Sequence, residues 1–236
     1  MPPKPRRPRR KNRTTAYIAV AIVLLSAAAV GIYLVSAGSQ KAAAKPVILY
    51  VNQGNGVVNG SNFGNMASYA VSRGFNTVFF QVYRQGALLF SPALLASFVN
   101  ESHSEGLKIF FALYITDRSQ GLPSSIYSLG EDGINLDMST LALSDQQAFL
   151  ASLEGSYHGQ TAVTATNMTS PLKPNLLILE TYGSSFQQYI RHGIIASVGV
   201  FTTTSHQDYQ SQLVYALQNS DGVMVFDYAG MLKAGY

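Results

Sequence analysis

The stretch Asp132-Gly133-Ile134-Asn135-Leu136-Asp137-Met138-Ser139 (DGINLDMS) reads as a turn feeding a short buried strand. Successive strand side chains point to opposite faces, so Ile134, Leu136 and Met138 share one face and Asn135 and Asp137 the other. The strand therefore ends by lifting a carboxylate, Asp137, out of an apolar setting. What that carboxylate can do depends on how many such strands surround it and on what each carries at its end.

Working outward, three more runs of strand length precede this one: PVILYVNQ (46–53), NTVFFQVYRQG (76–86) and LKIFFALYIT (107–116). All are rich in β-branched, aromatic or other apolar residues, as buried strands are. Between them FGNMASYAVSRG (63–74) predicts an amphipathic helix stopped at Gly74, and SPALLASFVNESHSEG (91–106) a helix with Ser91 as N-cap and Pro92 in its first turn. A strand, loop, helix, strand step of about 30 residues, repeated, is the signature of βαβ units and a parallel sheet. Downstream, SDQQAFLASLEGSYHG (144–159) predicts a helix capped by Ser144, QTAVTATNM (160–168) a fifth strand and NLLILETYG (175–183) a sixth. The intervening SPLKP (170–174) holds two prolines and is too short for a helix. SSFQQYIRHG (184–193) predicts a short helix, IIASVGVFTTT (194–204) a seventh strand, SHQDYQSQLVYALQNS (205–220) a capped helix and DGVMVFDYAG (221–230) an eighth strand.

Eight strands with intervening helices predict an α/β fold, a (β/α)₈ TIM-like barrel spanning residues 46–236, with an open doubly wound sheet as the alternative. The barrel would be small or incomplete. Its roughly 190 residues fall just under the usual lower bound of about 200, and the chain stops at Tyr236, leaving no room for a helix after the last strand.

The chain of 236 residues carries 16 bases and 12 acids, but Lys4, Arg6, Arg7, Arg9, Arg10, Lys11 and Arg13 all precede residue 14. Removing those seven leaves nine bases against 12 acids, so the body is slightly acidic and nucleic acid is not an expected partner. Residues 16–38 hold 23 positions without a charge, enough at about 1.5 Å per residue to cross the roughly 30 Å hydrocarbon core of a bilayer. The expected organisation is a basic cytoplasmic tail (1–15), a transmembrane helix in the lipid bilayer (16–38), a linker (39–45) and an extracellular barrel, oriented by the positive-inside rule. Small residues at Ser36-Ala37-Gly38 keep cleavage as the alternative. Cysteine is absent, which excludes disulfides and thiolate metal sites. Sequons at Asn59, Asn100 and Asn167 agree with export. Nothing in the sequence points to an oligomeric state.

In such a barrel the active groups come from the C-terminal ends of the strands. Those ends offer Asn52 and Gln53; Gln81, Tyr83 and Arg84; Tyr114, Thr116 and Asp117; Asp137; Asn167; Glu180 and Tyr182; Thr203 and His206; and Asp227 with Tyr228. Asp137, Glu180 and Asp227 are carboxylates that terminate apolar strands four, six and eight. Paired carboxylates suit glycoside hydrolysis, one to protonate the leaving oxygen and one to attack carbon or activate water. Each could instead cap a helix or pair with a base such as Arg84. No histidine or second aspartate stands close enough in sequence to complete a metal site, so no metal is expected. The loop GNGVVNG (54–60) has G-x-G-x-x-x-G spacing, and the second strand lacks the acid that would hold a ribose, so no dinucleotide cofactor is expected either. His103 lies in a helix among Glu101, Ser102 and Glu105 and reads as solvated surface.

GFNTVFFQVYRQGALLF (74–90), GLKIFFALYIT (106–116), DGINLDMS and SDGVMVFDYAG (220–230) together resemble the glycoside-hydrolase-like TIM-barrel superfamily of extracellular proteins. The resemblance implies Asp137 as nucleophile or key carboxylate, Glu180 as acid/base, and Asp227, Tyr83 and Tyr182 as substrate contacts; Gln81, Asn52 and Tyr114 join these by their strand-end positions. The implied ligand is a carbohydrate, bound without a cofactor. DGINLDMS is also similar to the chitinase-type pattern D-G-x-D-x-D-x-E, but Asn135 replaces its middle aspartate and Ser139 its catalytic glutamate. Within that lineage the chain would be a non-hydrolysing binder.

Overall fold

The structure, a computed structural model, describes residues 44–54, 56–166, 171–182, 186–200 and 206–236. The basic tail, the expected span at 16–38, most of the linker, the Asn167 sequon and Thr203 lie outside these residues. Among the described residues, no helix is long and apolar enough to cross a membrane.

The strands are β1 (Val47–Val51), β2 (Thr77–Arg84), β3 (Ala87–Leu88), β4 (Lys108–Tyr114), β5 (Gly133–Asp137), β6 (Gln160–Ala165), β7 (Leu176–Glu180), β8 (Ile195–Gly199) and β9 (Gly222–Phe226). Their order is β1-β9-β8-β7-β6-β5-β4-β2-β3, and β1 also pairs with β2. Eight parallel strands thus close on themselves, and the open doubly wound alternative is excluded by the parallel β1–β9 pairing. The two-residue β3 turns back antiparallel onto the end of β2 through Gln85 and Gly86, a hairpin the sequence reading did not anticipate.

Closure divides the apolar residues into two cores. Ile48, Tyr50, Phe79, Phe110, Ala112, Ala162, Ile178, Ile195 and Met224 fill the barrel. The opposite parity, among it Leu49, Val78, Phe80, Ile109, Phe111, Ile134, Leu136, Val163, Leu179, Val198 and Val225, packs outward against the helices. This two-sided burial is why the parallel strands read as continuous apolar runs rather than as alternations.

The helices are α1 (Phe63–Ser72), α2 (Pro92–Ser104), α3 (Leu143–Glu154), α4 (His206–Asn219) and α5 (Tyr228–Ala234). The Ser91 side chain accepts a hydrogen bond from the Leu94 amide, as expected of an N-cap. Helix α3 begins one residue before Ser144 and takes Ala142 as its N-cap without a side-chain bond, so Ser144 lies inside the helix instead of capping it. Helix α5 also corrects the sequence reading. The apolar run ends as a strand at Phe226, and Tyr228–Ala234 turns into a helix whose Tyr228 and Met231 are buried. The chain therefore does have room for an outer element after the last strand. Among the described residues, the connections β4–β5 and β7–β8 carry only short 3₁₀ turns, Ser124–Ile126 and Phe186–Tyr189, which helps a barrel fit in so few residues.

Candidate active site

The parity that fills the barrel also decides which strand-end residues converge at its C-terminal mouth. Following Ile48 and Tyr50 on β1 comes Asn52; following Ala112 on β4 comes Tyr114; following Gly133 and Asn135 on β5 comes Asp137; following Ile178 on β7 comes Glu180. These residues line one cavity of about 220 Å³, together with Tyr50, Gln81, Arg84, Ser139 and Phe226. Its volume lies below the roughly 300–1,000 Å³ of pockets that enclose a drug-sized ligand. Its walls are mostly polar.

Asp137 sits on the cavity floor, 6 % exposed. Its Oδ2 accepts a hydrogen bond from the Tyr50 hydroxyl at 2.8 Å, while Oδ1 has no partner among the described residues. Burial raises its pKa to about 6, with the Tyr50 hydroxyl and the Ser139 amide offsetting part of the effect. The same burial, with the Asp137 charge beside it, drives the Tyr50 hydroxyl well above its ordinary value. Asp137 is level with Thr164 on β6 and through it with Ile178 on β7, so Glu180 stands one layer of side chains higher. Burial first, and then the neighbouring Asp137 charge, raise the Glu180 carboxyl to about 7. The two carboxyls are thus close enough to feel each other, and both are shifted into the range where general acids and bases operate.

Asn135 lies one layer below Asp137, fully buried, with Oδ1 accepting from the Thr164 hydroxyl at 3.1 Å. Gln81, level with Asn135 through Ala112, accepts at Oε1 from the Gln53 amide at 2.9 Å, and Asn52 Oδ1 accepts from the Gly54 amide at 2.7 Å. Both carboxamides are thereby fixed in orientation. Tyr182 packs on Phe226, and its hydroxyl accepts from Ser197 Oγ at 2.9 Å. Burial drives that hydroxyl well above its ordinary value, with the Glu180, Asp137 and Asp227 charges adding to the shift. Tyr182 stands beside the carboxylate pair, behind the cavity wall.

Of the expected substrate contacts, Tyr83 and Asp227, like Tyr182, are not among the residues that line the cavity. A β-bulge in β2 shifts the register against β4: Gln81 pairs with Ala112, but Tyr83 pairs with Leu113 and Arg84 with Tyr114. One extra residue inverts the alternation beyond it. Val82 and Tyr83 therefore both join the outer core, where the Tyr83 hydroxyl donates to the Gly121 carbonyl at 2.6 Å, and Arg84 turns into the cavity in place of Tyr83. Asp227 falls on the outward parity of β9. Its Oδ1 accepts from the Gly230 amide at 2.9 Å as the N-cap of α5, and Phe226 takes the cavity position. The residues the sequence reading left out of the site are Tyr50, Ser139 and Phe226; Tyr50 and Phe226 were marked only by sharing a strand face with Asn52 and Met224.

Among the described residues, no group of three or more His, Asp or Glu side chains is placed to hold a metal ion. His103 is exposed, as expected, but its Nε2 lies 2.9 Å from Asp132 Oδ2 at the opposite end of the barrel.

No protein-family model matches the chain, and no characterised protein matches it by sequence. Solved structures are similar in fold. A xylanase–α-amylase inhibitor protein crystallised with trehalose superposes with a TM-score of 0.55 at 10% identity, covering 82% of this chain and 96% of that one. The GH18 chitinase ChiB of Flavobacterium johnsoniae gives 0.53 at 11% identity over 79% and 88% of the two chains. The spore cortex-lytic enzyme SleL of Bacillus cereus gives 0.50 at 10% identity over 78% and 70%. At these identities the likeness is one of architecture: the chain folds as a closed TIM-like barrel.

Proposed function

We propose that this is a membrane-anchored, extracytoplasmic glycoside-hydrolase-like protein that acts on glycans through Asp137 and Glu180. The observation that carries this reading is the convergence of a buried carboxyl, Asp137, and a partly buried one, Glu180, both raised in pKa, on one polar cavity at the C-terminal end of the barrel. At neutral pH, Glu180 with its value of about 7 retains much of its proton and suits the acid that protonates the leaving oxygen. Asp137, at about 6, is mostly ionised and suits the group that attacks the anomeric carbon or orients water. Tyr50 fixes the Asp137 carboxylate and leaves one oxygen without a protein partner. Activity is expected to peak between about pH 6 and 7, falling below as Asp137 takes up a proton and above as Glu180 loses one.

The test is release of reducing ends from a panel of soluble polysaccharides by the full chain in detergent, beside Asp137→Asn and Glu180→Gln. Each variant is expected to lose about 10²-fold or more in rate. Equal rates in all three proteins would discard the pair.

A second reading, a carbohydrate-binding module on the same barrel without turnover, is favoured by Ser139, which lines the cavity where the chitinase-type pattern has glutamate. Fold does not choose between the two. Saturable glycan binding with no reducing ends released would establish the second.

A further inference from the structure

The β2 bulge delivers a cation to a cavity otherwise lined by acids and neutral groups. Arg84, Tyr114 and Asp137 are level on three consecutive barrel strands, since Arg84 pairs with Tyr114 and Tyr114 with Asp137. Two strand spacings of about 4.8 Å separate Arg84 from Asp137, within reach of an arginine side chain. Yet among the described residues Arg84 forms no ion pair. Its guanidinium lies over the Tyr114 ring, 5.6 Å from the centroid, and turns toward the Asn52–Gly54 turn. There a Cβ on Gly54 would stand 2.6 Å from Arg84 Nη1, so the glycine makes room for the guanidinium. What opposes the burial of Asp137 is the Tyr50 hydroxyl and the Ser139 amide. The cavity is therefore split into an acidic floor and a cationic rim.

A half-buried guanidinium over an aromatic ring, with no ion pair to a carboxylate among the described residues, leaves its planar fork for whatever enters the cavity. That fork matches a carboxylate in bidentate geometry. We infer that the sugar taken by this cavity bears a carboxylate, a hexuronic acid or its glycoside, with Arg84 reading the carboxylate and Asn52 and Gln81 beside it reading hydroxyls. This rests on the carbohydrate reading above and names its substrate class. Room for about one ring and a single cation both fit a singly charged sugar unit.

The experiment is titration of the full chain in detergent micelles with methyl glucuronide and methyl galacturonide, against methyl glucoside, methyl galactoside and glucose 6-sulfate, followed by NMR shifts or calorimetry. At least one uronide is expected to bind about tenfold or more tightly than its neutral counterpart, in line with one charge-assisted pair. Arg84→Gln is expected to abolish that preference, leaving the uronide and its neutral counterpart with equal affinity; Arg84→Lys, which keeps the charge and loses the fork, should retain only part. Equal affinity for neutral and acidic sugars overturns the inference while leaving a carbohydrate site in place. Equal preference for the sulfate overturns the assignment to a carboxylate. Binding of none of the five overturns the carbohydrate reading itself.

Discussion

At the scale of single residues, Asp137 is where the molecule departs furthest from what stability alone would select. A carboxyl in the unfolded chain holds its proton only up to about its ordinary value of 3.8, whereas folded Asp137 holds it to about 6. Between those values the folded state binds more protons than the unfolded one, so stability falls as pH rises through that window and the full penalty persists above it. Asp137→Asn removes the ionisable group and keeps an oxygen to accept from Tyr50. The variant is expected to be more stable than wild type at pH 7.5 by on the order of 2 kcal/mol, a gap that closes toward about pH 3.5. Thermal denaturation at both pH values checks this, and an Asn variant no more stable at pH 7.5 would show that burial does not strain the carboxyl. Tyr50→Phe acts in the opposite sense. It removes the hydroxyl that holds Asp137 down, so the acid limb of any pH–activity profile is expected to move upward. Asp137 and Glu180 were legible in the sequence because a charge ending a run of apolar residues stands out. Tyr50 was not, because an aromatic inside a buried strand is indistinguishable there from core.

Among the elements, β5 shows why the stretch that decides the fold begins Asp-Gly. The Asp132 carboxylate accepts the Ile109 amide at 2.9 Å, and the Asp132 amide donates to the Ile109 carbonyl, which ties the entry of β5 to β4. Gly133 then points into the barrel, where the Phe110 ring, stacked on Phe79, occupies the space a side chain would need. A methyl there would collide with that ring and stand 2.7 Å from the Gln160 carbonyl. Gly133→Ala is expected to destabilise the barrel by about 1–3 kcal/mol. Trimming the ring in Gly133→Ala/Phe110→Leu should recover part of the loss in a denaturant titration; additive losses would mean the two side chains do not compete for one space. All eight barrel strands could be read from the sequence as short runs rich in apolar, β-branched or aromatic residues, although β6 (QTAVTA) is only partly apolar. The β2 bulge could not, since it is a property of the register between two strands and leaves no mark on one of them. That single residue is what exchanged Tyr83 for Arg84 at the site. Helix α5 was hidden differently: Tyr228–Ala234 follows the apolar strand after a single residue, Asp227, whose side chain accepts from the Gly230 amide and marks the change of element. Asp227→Ala is accordingly expected to cost about 1 kcal/mol of stability, and Asp227→Asn much less.

For the whole molecule, charge and hydropathy divide the chain more sharply than any boundary within the barrel. Residues from Lys45 onward form one compact unit. Its charge is slightly negative, while seven bases lie within the first thirteen residues, on the N-terminal side of 23 positions without a charge. We propose that this segment lies in lipid, with the bases holding its N-terminal end on the cytoplasmic face. We therefore expect the full chain to sediment with membranes and to resist extraction by alkaline carbonate, and the barrel to be degraded by protease added outside intact cells. Deletion of residues 1–43 should release a folded barrel into solution with the same pH–stability profile as the parent, because the groups that set it, Asp137 and Tyr50, belong to the compact unit that begins at Lys45. Extraction of the full chain by carbonate would remove the anchor from the proposal, and protection of the barrel from external protease would reverse its orientation. Either result would leave the cavity chemistry standing. It would, however, change the glycans within reach, from those outside the cell to those made inside it.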